Sequence, residues 1–275
     1  SVLRLVEQGR LSLDTVLSRC GGGEEVTLEH VLSHTSGVME ILPPSLETFR
    51  GLGDMPMMME RVAASKPLLP PGARQQYHHT SFGYFLARAC QLAGTDLQTA
   101  WSDFARASLG PGKGQELSLK APCAPSRARM CKSMNSPCLS DFALMMHEFD
   151  YFITTINKSQ EKSATLAEKA DGAVWKSVFG KPQWIEASAF AAEEVQQMVL
   201  PGLQAYANAR TTAEALRAVA SKRALLASTL TGALRSRRPP VTGHSSKPQR
   251  LMKFLHGFQG AEWGLGIQLV RRMPR

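Results

Sequence analysis

The sequence lacks the long apolar runs from which membrane-spanning helices are built. No stretch of about 18 or more consecutive apolar residues occurs among its 275 residues. Its first residues, SVLRLVEQGR, lack the basic region, apolar stretch and small-residue cleavage site of a secretory signal peptide. The sequence therefore predicts neither membrane insertion nor secretion. A hydrophobic content of 43% is sufficient to bury a sizeable core, which indicates a globular protein.

Cysteine is also scarce. The five cysteines are odd in number and widely spaced, which argues against a disulfide framework and favours a reducing, intracellular compartment. Cys123, Cys131 and Cys138 precede His147, but their spacing lacks the close C-x-x-C pairs typical of zinc sites. The sequence therefore predicts no metal or organic cofactor.

Acidic residues are rare in one part of the chain, although the whole chain carries a net charge of +9. The sequence between Arg210 and Lys253 contains many basic residues and only one acidic residue, Glu214. Such a surface attracts anions. The segment has few aromatic residues for base stacking and no nucleic-acid-binding motif, which argues against nucleic acid as the partner. We interpret it as a solvated basic face or as a surface that meets an acidic protein partner.

Hydrophobic spacing predicts a mostly helical chain. Thr27 is predicted to cap a short helix that ends through Gly37, and we interpret His30, His34 and Ser36 in this region as structural. The other predicted helices are a first one that Gly9 closes, then 55–64, 82–92, 97–104, 141–152, 191–200 and 213–227. Strands are predicted at 116–120 and 263–270, and no internal repeat is found.

The helix after the PPG turn is predicted to bury one apolar face. That face would consist of Phe82, Phe85, Leu86, Ala89 and Leu92. The polar residues 158–172 are predicted to form a solvated insertion, and residues 237–248, which contain Pro and Ser, resemble a linker.

Five sequence motifs occur in an order that resembles one protein family. They are LVEQGRLSLD, VTLEHVLSHTSGV, LPPGARQQYHHTSFGYFLARACQLAG, LPGLQAYANARTTAEALRAVA and WGLGIQLV. Together they resemble the β-lactamase-related serine hydrolases, which include class C β-lactamases, penicillin-binding proteins and esterases. The segment YHHTSFGY is most similar to a eukaryotic branch in which the usual Tyr-x-Asn triplet is altered.

The resemblance implies acyl transfer, in which the serine of Ser-x-x-Lys attacks a carbonyl while the Lys and the Tyr of Tyr-x-Asn handle its proton. Tyr77 matches that tyrosine and is the candidate catalytic residue, the alternative being a tyrosine packed beside the PPG turn. His79 occupies the Asn position and is a candidate for substrate contact, although an imidazole lacks the paired donor and acceptor of a carboxamide. Met55, Met57 and Met58 are candidates for pocket lining or for the core.

The nucleophile motif departs from the family pattern. In the family, Ser-x-x-Lys lies on the helix directly before the LVEQGRLSLD-like segment, and this chain begins too late to include it. Ser159 and Lys162 have the same spacing, but they follow Tyr77 in a polar run, so we interpret them as a coincidence. Thr242 in VTGHSSK precedes WGLG, whereas the family's Lys/His-x-Gly strand follows it and would lie beyond Arg275.

These observations lead to two hypotheses. Residues 1–275 are expected to form a single incomplete α+β domain of the β-lactamase/transpeptidase type, mainly its α-rich part, with an incomplete antiparallel sheet. In the first hypothesis the whole protein is a serine hydrolase of a small ester, amide or lactam, and this chain is inactive alone. In the second, the domain is a non-catalytic scaffold whose basic segment binds an acidic partner.

Overall fold

The computed structural model describes part of the chain, and the fold is given for that part. The described residues are 1–19, 23–38, 49–76, 78, 81–121, 154, 157–166, 168–169, 172–173, 192–235, 262–265 and 268–269. The helix predicted at 141–152 and the linker predicted at 237–248 lie outside these residues.

The described part of the chain combines helices with two separate antiparallel strand pairs, which is the predicted α+β class. The elements are α1 (Val2–Glu7), β1 (Val16–Arg19), β2 (Glu25–Thr27), α2 (Leu28–Leu32), α3 (Phe49–Gly53), α4 (Met55–Ala64), α5 (Ser81–Leu92), α6 (Leu97–Leu109), a 3₁₀ turn (Gly114–Glu116), α7 (Glu193–Gln196), α8 (Ala209–Ala220), α9 (Ala227–Ala233), β3 (Glu262–Trp263) and β4 (Gln268–Leu269). β1 pairs with β2, and β3 pairs with β4. Within the described ranges, no helix combines the length and apolarity needed to cross a membrane.

The hairpin of β1 and β2 follows α1 and was not predicted. In β1, both Leu17 and Ser18 are buried, so the strand lacks the alternation that identifies a half-buried strand in sequence. Ser18 is buried because its hydroxyl donates a hydrogen bond to the Ala63 carbonyl at 2.9 Å, near the end of α4. The hairpin is thereby attached to α4.

The cap predicted for α2 is confirmed, but its predicted end is wrong. The Thr27 hydroxyl accepts from the His30 amide, and His30 Nδ1 accepts from the Thr27 amide at 3.2 Å, so His30 completes a reciprocal capping box. The helix ends at Leu32, well before Gly37, because His34 adopts a left-handed backbone with φ of 57°. The amides of His34 and Thr35 donate to the carbonyls of residues 31 and 30, which is the Schellman pattern.

α4 has the predicted bounds, and α5 lies at the centre of the core. The Asp54 side chain caps α4 by accepting from the Met57 amide at 3.1 Å. The Tyr84 hydroxyl of α5 donates to the Leu52 carbonyl at 2.8 Å, which links α5 to α3.

The predicted apolar face of α5 is only partly correct. Phe85 and Ala89 are buried, whereas Leu92 is 44% exposed. Other buried residues lie on further sides of the helix: Ser81, Gly83, Tyr84, Ala87 and Cys90. A helix enclosed by several elements loses the one-sided pattern on which the prediction relied.

Residues after α7 pack closely against α5. A Cβ added to Gly83 would fall inside contact distance of the Pro201 backbone carbonyl, so glycine is needed for this approach. The side-chain nitrogen Nε2 of Gln204 donates to the carbonyls of Val195 and Met198, which holds the Pro201 turn in place. The 200–204 segment is thus part of the core that supports α5.

A second, smaller cluster joins α6 to α8. It contains Ala105, Leu117 and Ala215, and the Trp101 indole donates to the Leu117 carbonyl at 3.0 Å. The strand predicted at 116–120 is wrong in extent, because it forms a single bridge between Ser118 and Tyr206.

The helix predicted at 213–227 is instead two helices. α8 begins earlier because Asn208 caps it by accepting from the Thr211 amide at 2.8 Å. It ends at Ala220, where Lys222 has a left-handed backbone with φ of 62°, and α9 starts only at Ala227.

The strand predicted at 263–270 is also interrupted, since β3 and β4 form a short hairpin. The Leu265 amide donates to the Ala233 carbonyl at the end of α9, at 3.0 Å. A Cβ on Gly264 would collide with that carbonyl, so only glycine fits between β3 and the end of α9.

Replacing Gly83 by Ala should lower the free energy of unfolding by about 1–3 kcal/mol through overpacking against Pro201, despite the higher helix propensity of Ala. Gly232 in α9 provides the matched control, because a Cβ there meets nothing within 4 Å. Gly232→Ala should raise stability by about 0.5–1 kcal/mol. Urea denaturation of both variants measures the difference, and a stabilising Gly83→Ala would contradict the close contact.

Candidate functional site

The candidate site is built around residues 34–37, which we call the HTSG turn. Its side chains are buried and are used locally: Ser33 and Thr35 hydroxyls lie 2.9 Å apart, and the Ser36 hydroxyl accepts from the Val38 amide at 3.2 Å. Gly37 has φ of 71° and meets the Leu69 carbonyl so closely that a Cβ would collide with it. Ser36 therefore has the geometry of a turn residue, as the sequence analysis expected.

Residues 68–76 run beside the HTSG turn and are hydrogen-bonded to it along their length. The amides of Leu68, Gly72 and Gln76 donate to the carbonyls of residues 37, 35 and 34 at 2.9, 2.8 and 2.7 Å. The Gln75 side-chain amide adds a bond to the Ser33 carbonyl at 2.8 Å. The backbone is thus held to the HTSG turn up to residue 76, directly before Tyr77.

His78 holds the chain on the other side of Tyr77. Its Nε2 lies 3.2 Å from the Val31 carbonyl of α2, and its Nδ1 lies 3.0 Å from the Ser81 hydroxyl at the start of α5. Ser81 is in turn 3.1 Å from the Val38 carbonyl. One buried imidazole therefore connects the end of α2, the residue after the HTSG turn and the beginning of α5.

The ring of His78 lies among aromatic side chains, and the His78 backbone amide donates to His34 Nδ1 at 3.5 Å. His34 and Phe85 present T-shaped rings to it, at centroid distances of 4.5 and 6.3 Å. His34 also stacks on Phe82 at 4.8 Å. Burial lowers the pKa of His78 from 6.5 to about 4, because the charged ring would lose its hydration, and the bond to Val31 opposes this only partly. His78 is therefore neutral at pH 7.

The residues predicted for the site are only partly among the described ones. Tyr77 and His79 lie outside them, but both are neighbours in sequence of the firmly bonded His78. Met58 is 0% exposed in the core, whereas Met55 and Met57 are partly buried and pack against that core.

The Ser-x-x-Lys sequence at Ser159 and Lys162 lies on a polar, surface-exposed part of the chain. Lys162 is exposed. Lys158, directly before Ser159, pairs with Glu168 at 2.8 Å. The residues on either side of Lys162, Glu161 and Ser163, are exposed as well, whereas His78 is buried.

Metal binding has no support in the described residues, which contain no group of three or more side chains able to hold an ion. The candidate ligands Cys123, Cys131, Cys138 and His147 lie outside them. Cys90 is buried as a free thiol.

His78 and Ser81 were not among the site residues predicted from the sequence. His78 is the middle residue of the triplet, a position to which the family resemblance assigns no role. Its partners Val31 and Val38 act through backbone carbonyls, which leave no trace in side-chain patterns. The only local signal was the polar run before an apolar helix, where Ser81 could have been identified as a residue at the helix start.

Comparison with known proteins identifies a family. The family model described as Beta-lactamase matches residues 1–272. A search of curated proteins by sequence found no match.

Solved structures share the fold at low sequence identity. A penicillin-binding protein homolog from Caulobacter crescentus is 20% identical, with a TM-score of 0.64 over 97% of this chain and 62% of that one. A family VIII carboxylesterase is 17% identical, with a TM-score of 0.61 over 98% of this chain and 63% of that one. EstCE1, a hydrolase with promiscuous acyltransferase activity, is 14% identical with a TM-score of 0.58. The chain thus spans less than two thirds of the first two proteins.

Stability should fall on acidification because of His78. Its folded-state pKa of about 4 lies below the unfolded value of 6.5, so between these values the unfolded chain binds a proton that the folded chain does not. The free energy of unfolding should therefore decrease as pH falls through this window, by up to ~1.4 kcal/mol per pH unit. Urea denaturation at pH 7 and pH 5 should show a smaller decrease for His78→Gln than for the unsubstituted protein. Equal decreases would contradict burial of a neutral His78.

Proposed function

Because the chain belongs to the beta-lactamase family, we propose that the whole protein is a serine hydrolase that cleaves a small ester, amide or lactam by acyl transfer. The observation that carries this proposal is the pair of anchors on either side of Tyr77. The Gln76 amide binds the His34 carbonyl at 2.7 Å, and the His78 ring binds the Val31 carbonyl at 3.2 Å. A catalytic phenol needs such a fixed backbone, since displacement by about 1 Å can cost 10²-fold in rate.

In the proposed reaction, the hydroxyl of a serine in Ser-x-x-Lys attacks the substrate carbonyl carbon. Its proton passes to the base formed by Tyr77 and the lysine, and then to the leaving alcohol or amine as the C–O or C–N bond breaks. Water attacks the resulting acyl ester and gives one proton to the same base. That proton returns to the serine oxygen as the acid is released, so the enzyme is regenerated.

We propose that the nucleophile of this reaction comes from residues outside this 275-residue sequence. Ser159 and Lys162 are poor candidates, because Lys162 is exposed and a nucleophilic pair needs burial to set its protonation. On this proposal the chain by itself is inactive.

The remaining candidate residues are given roles in substrate binding. His79 is proposed to contact the substrate at the position of the family's asparagine, using one ring nitrogen as donor or acceptor. Met55 and Met57 are proposed to line the pocket because they are partly buried, and Met58 to support them from the core.

The whole protein, produced with its Ser-x-x-Lys helix, should be labelled covalently by a fluorophosphonate or a β-lactam, whereas residues 1–275 alone should not. Tyr77→Phe should slow labelling by 10²- to 10⁴-fold, the range typical of a lost general base. Tyr206→Phe is the matched control, because it removes a hydroxyl that donates only a long bond, at 3.4 Å, to the Gln204 side-chain oxygen. Intact-protein mass spectrometry measures both rates. If neither probe labels the whole protein, the proposed function is contradicted.

A second candidate is a non-catalytic domain that binds an acidic protein partner. It is favoured by the exposure of the basic residues on and around α8 and α9: Arg210, Arg217, Lys222, Arg223 and Arg235. The acidic residue in this stretch, Glu214, already pairs with Lys113 at 3.5 Å.

Binding of poly-glutamate tests this second candidate. If the surface binds acidic chains, affinity should fall steeply between 50 and 500 mM salt, because exposed charges are screened. Replacing Arg217 and Lys222 by Glu should weaken binding further, whereas Lys162→Glu, at a distant position in sequence, should have a smaller effect. Salt-insensitive binding, or none, would count against it.

A further inference from the structure

The middle residue of the triplet, His78, forms contacts that reach far along the chain. Its Nε2 contact joins it to a carbonyl 47 residues earlier, whereas its Nδ1 contact joins it to Ser81, three residues later. The long-range contact therefore ties His78 to α2, and the local contact ties it to the start of α5.

The hydrogen atoms available to this network determine how it is bonded. A carbonyl can only accept, so we assign the proton of the neutral ring to Nε2, which donates to Val31. Nδ1 is then an acceptor, and Ser81 is the donor within reach. The Val38 carbonyl, at 3.1 Å from the same hydroxyl, competes for that single hydrogen.

The contact to Val31 is therefore the strong and unambiguous one. The Val31 carbonyl that accepts from His78 also accepts from the His34 amide, at 3.0 Å, in the Schellman turn. Both lone pairs of this carbonyl are used, one to end α2 and the other to hold His78. Loss of the His78 donor would leave the buried Val31 carbonyl with one bond fewer. The longer bond from the His78 backbone amide to His34 Nδ1, at 3.5 Å, would remain between residue 78 and the turn after α2.

We propose that His78 is a positioning residue, whose bond to the Val31 carbonyl sets the placement of Tyr77 and His79 relative to the HTSG turn. This rests on the proposed function, in which those two neighbours act on the substrate. His78 itself takes no part in the chemistry, because its two ring nitrogens are occupied by Val31 and Ser81.

Two amide substitutions separate the contacts of His78. The side-chain amide of Gln reaches the position of Nε2 and can donate to Val31, whereas the shorter Asn reaches only the position of Nδ1 near Ser81. For the whole protein, we expect His78→Gln to keep kcat for a p-nitrophenyl ester within about 10-fold. His78→Asn and His78→Leu should lower kcat by about 100-fold, the scale of a misplaced catalytic group.

Two controls distinguish positioning from general destabilisation. Leu117→Ala leaves a cavity in the second cluster and so lowers stability without touching this region. It should leave kcat unchanged at temperatures where the protein stays folded. His30→Gln replaces a different histidine, which lies on α2. Gln can still complete the capping box with Thr27, so kcat should change little. Equal losses of kcat in the Gln, Asn and Leu variants of His78, or none in any of them, would overturn the proposal.

Amide hydrogen exchange tests the proposal without catalysis. The peptide covering residues 75–80 should exchange at least 10-fold faster in His78→Asn than in His78→Gln, after correction for global stability. If the whole protein is not labelled by any serine-directed probe but this difference is found, the proposed function fails and the structural part of the inference stands. If the protein is labelled but the two variants exchange alike, the positioning role fails and the proposed function stands.

Discussion

The left-handed backbone of His34 is the constraint on which the organisation around residue 78 depends. Only because the chain reverses there does α2 stop at Leu32 and leave its last carbonyls available. The backbone after His34 then runs antiparallel to residues 68–76 and accepts their amides. Histidine tolerates this conformation better than most residues, and its ring adds stacking on Phe82, which compensates for part of the backbone cost.

A buried polar network in apolar surroundings fixes geometry more firmly than apolar contact alone. Apolar side chains can shift past one another at small cost, but a buried carbonyl or hydroxyl that loses its partner is penalised. His78, Ser81 and the carbonyls of Val31 and Val38 form such a network inside a ring of aromatic side chains. This network fixes the position of His78 relative to α2 and to the start of α5.

Local signals predicted those parts of the fold whose stability is local. The bounds of α4 follow from the Asp54 cap and from the prolines after Ala64, and both can be read from the sequence. The hairpin of β1 and β2 was missed because Ser18 is buried by a carbonyl on α4, and the split of 263–270 was missed because Gly264 meets α9. For the site, the family motifs predicted roles for Tyr77 and His79, whereas the contacts of His78 depend on backbone groups far away in sequence.

The anchoring of Leu265 on Ala233 has a further consequence for the segment that connects them. Both ends of that segment are fixed, since the Leu265 amide donates to the Ala233 carbonyl at 3.0 Å and Gly264 packs against the same group. The chain between α9 and β3 therefore begins and ends at one point, and a change that weakens this backbone contact would separate β3 from α9.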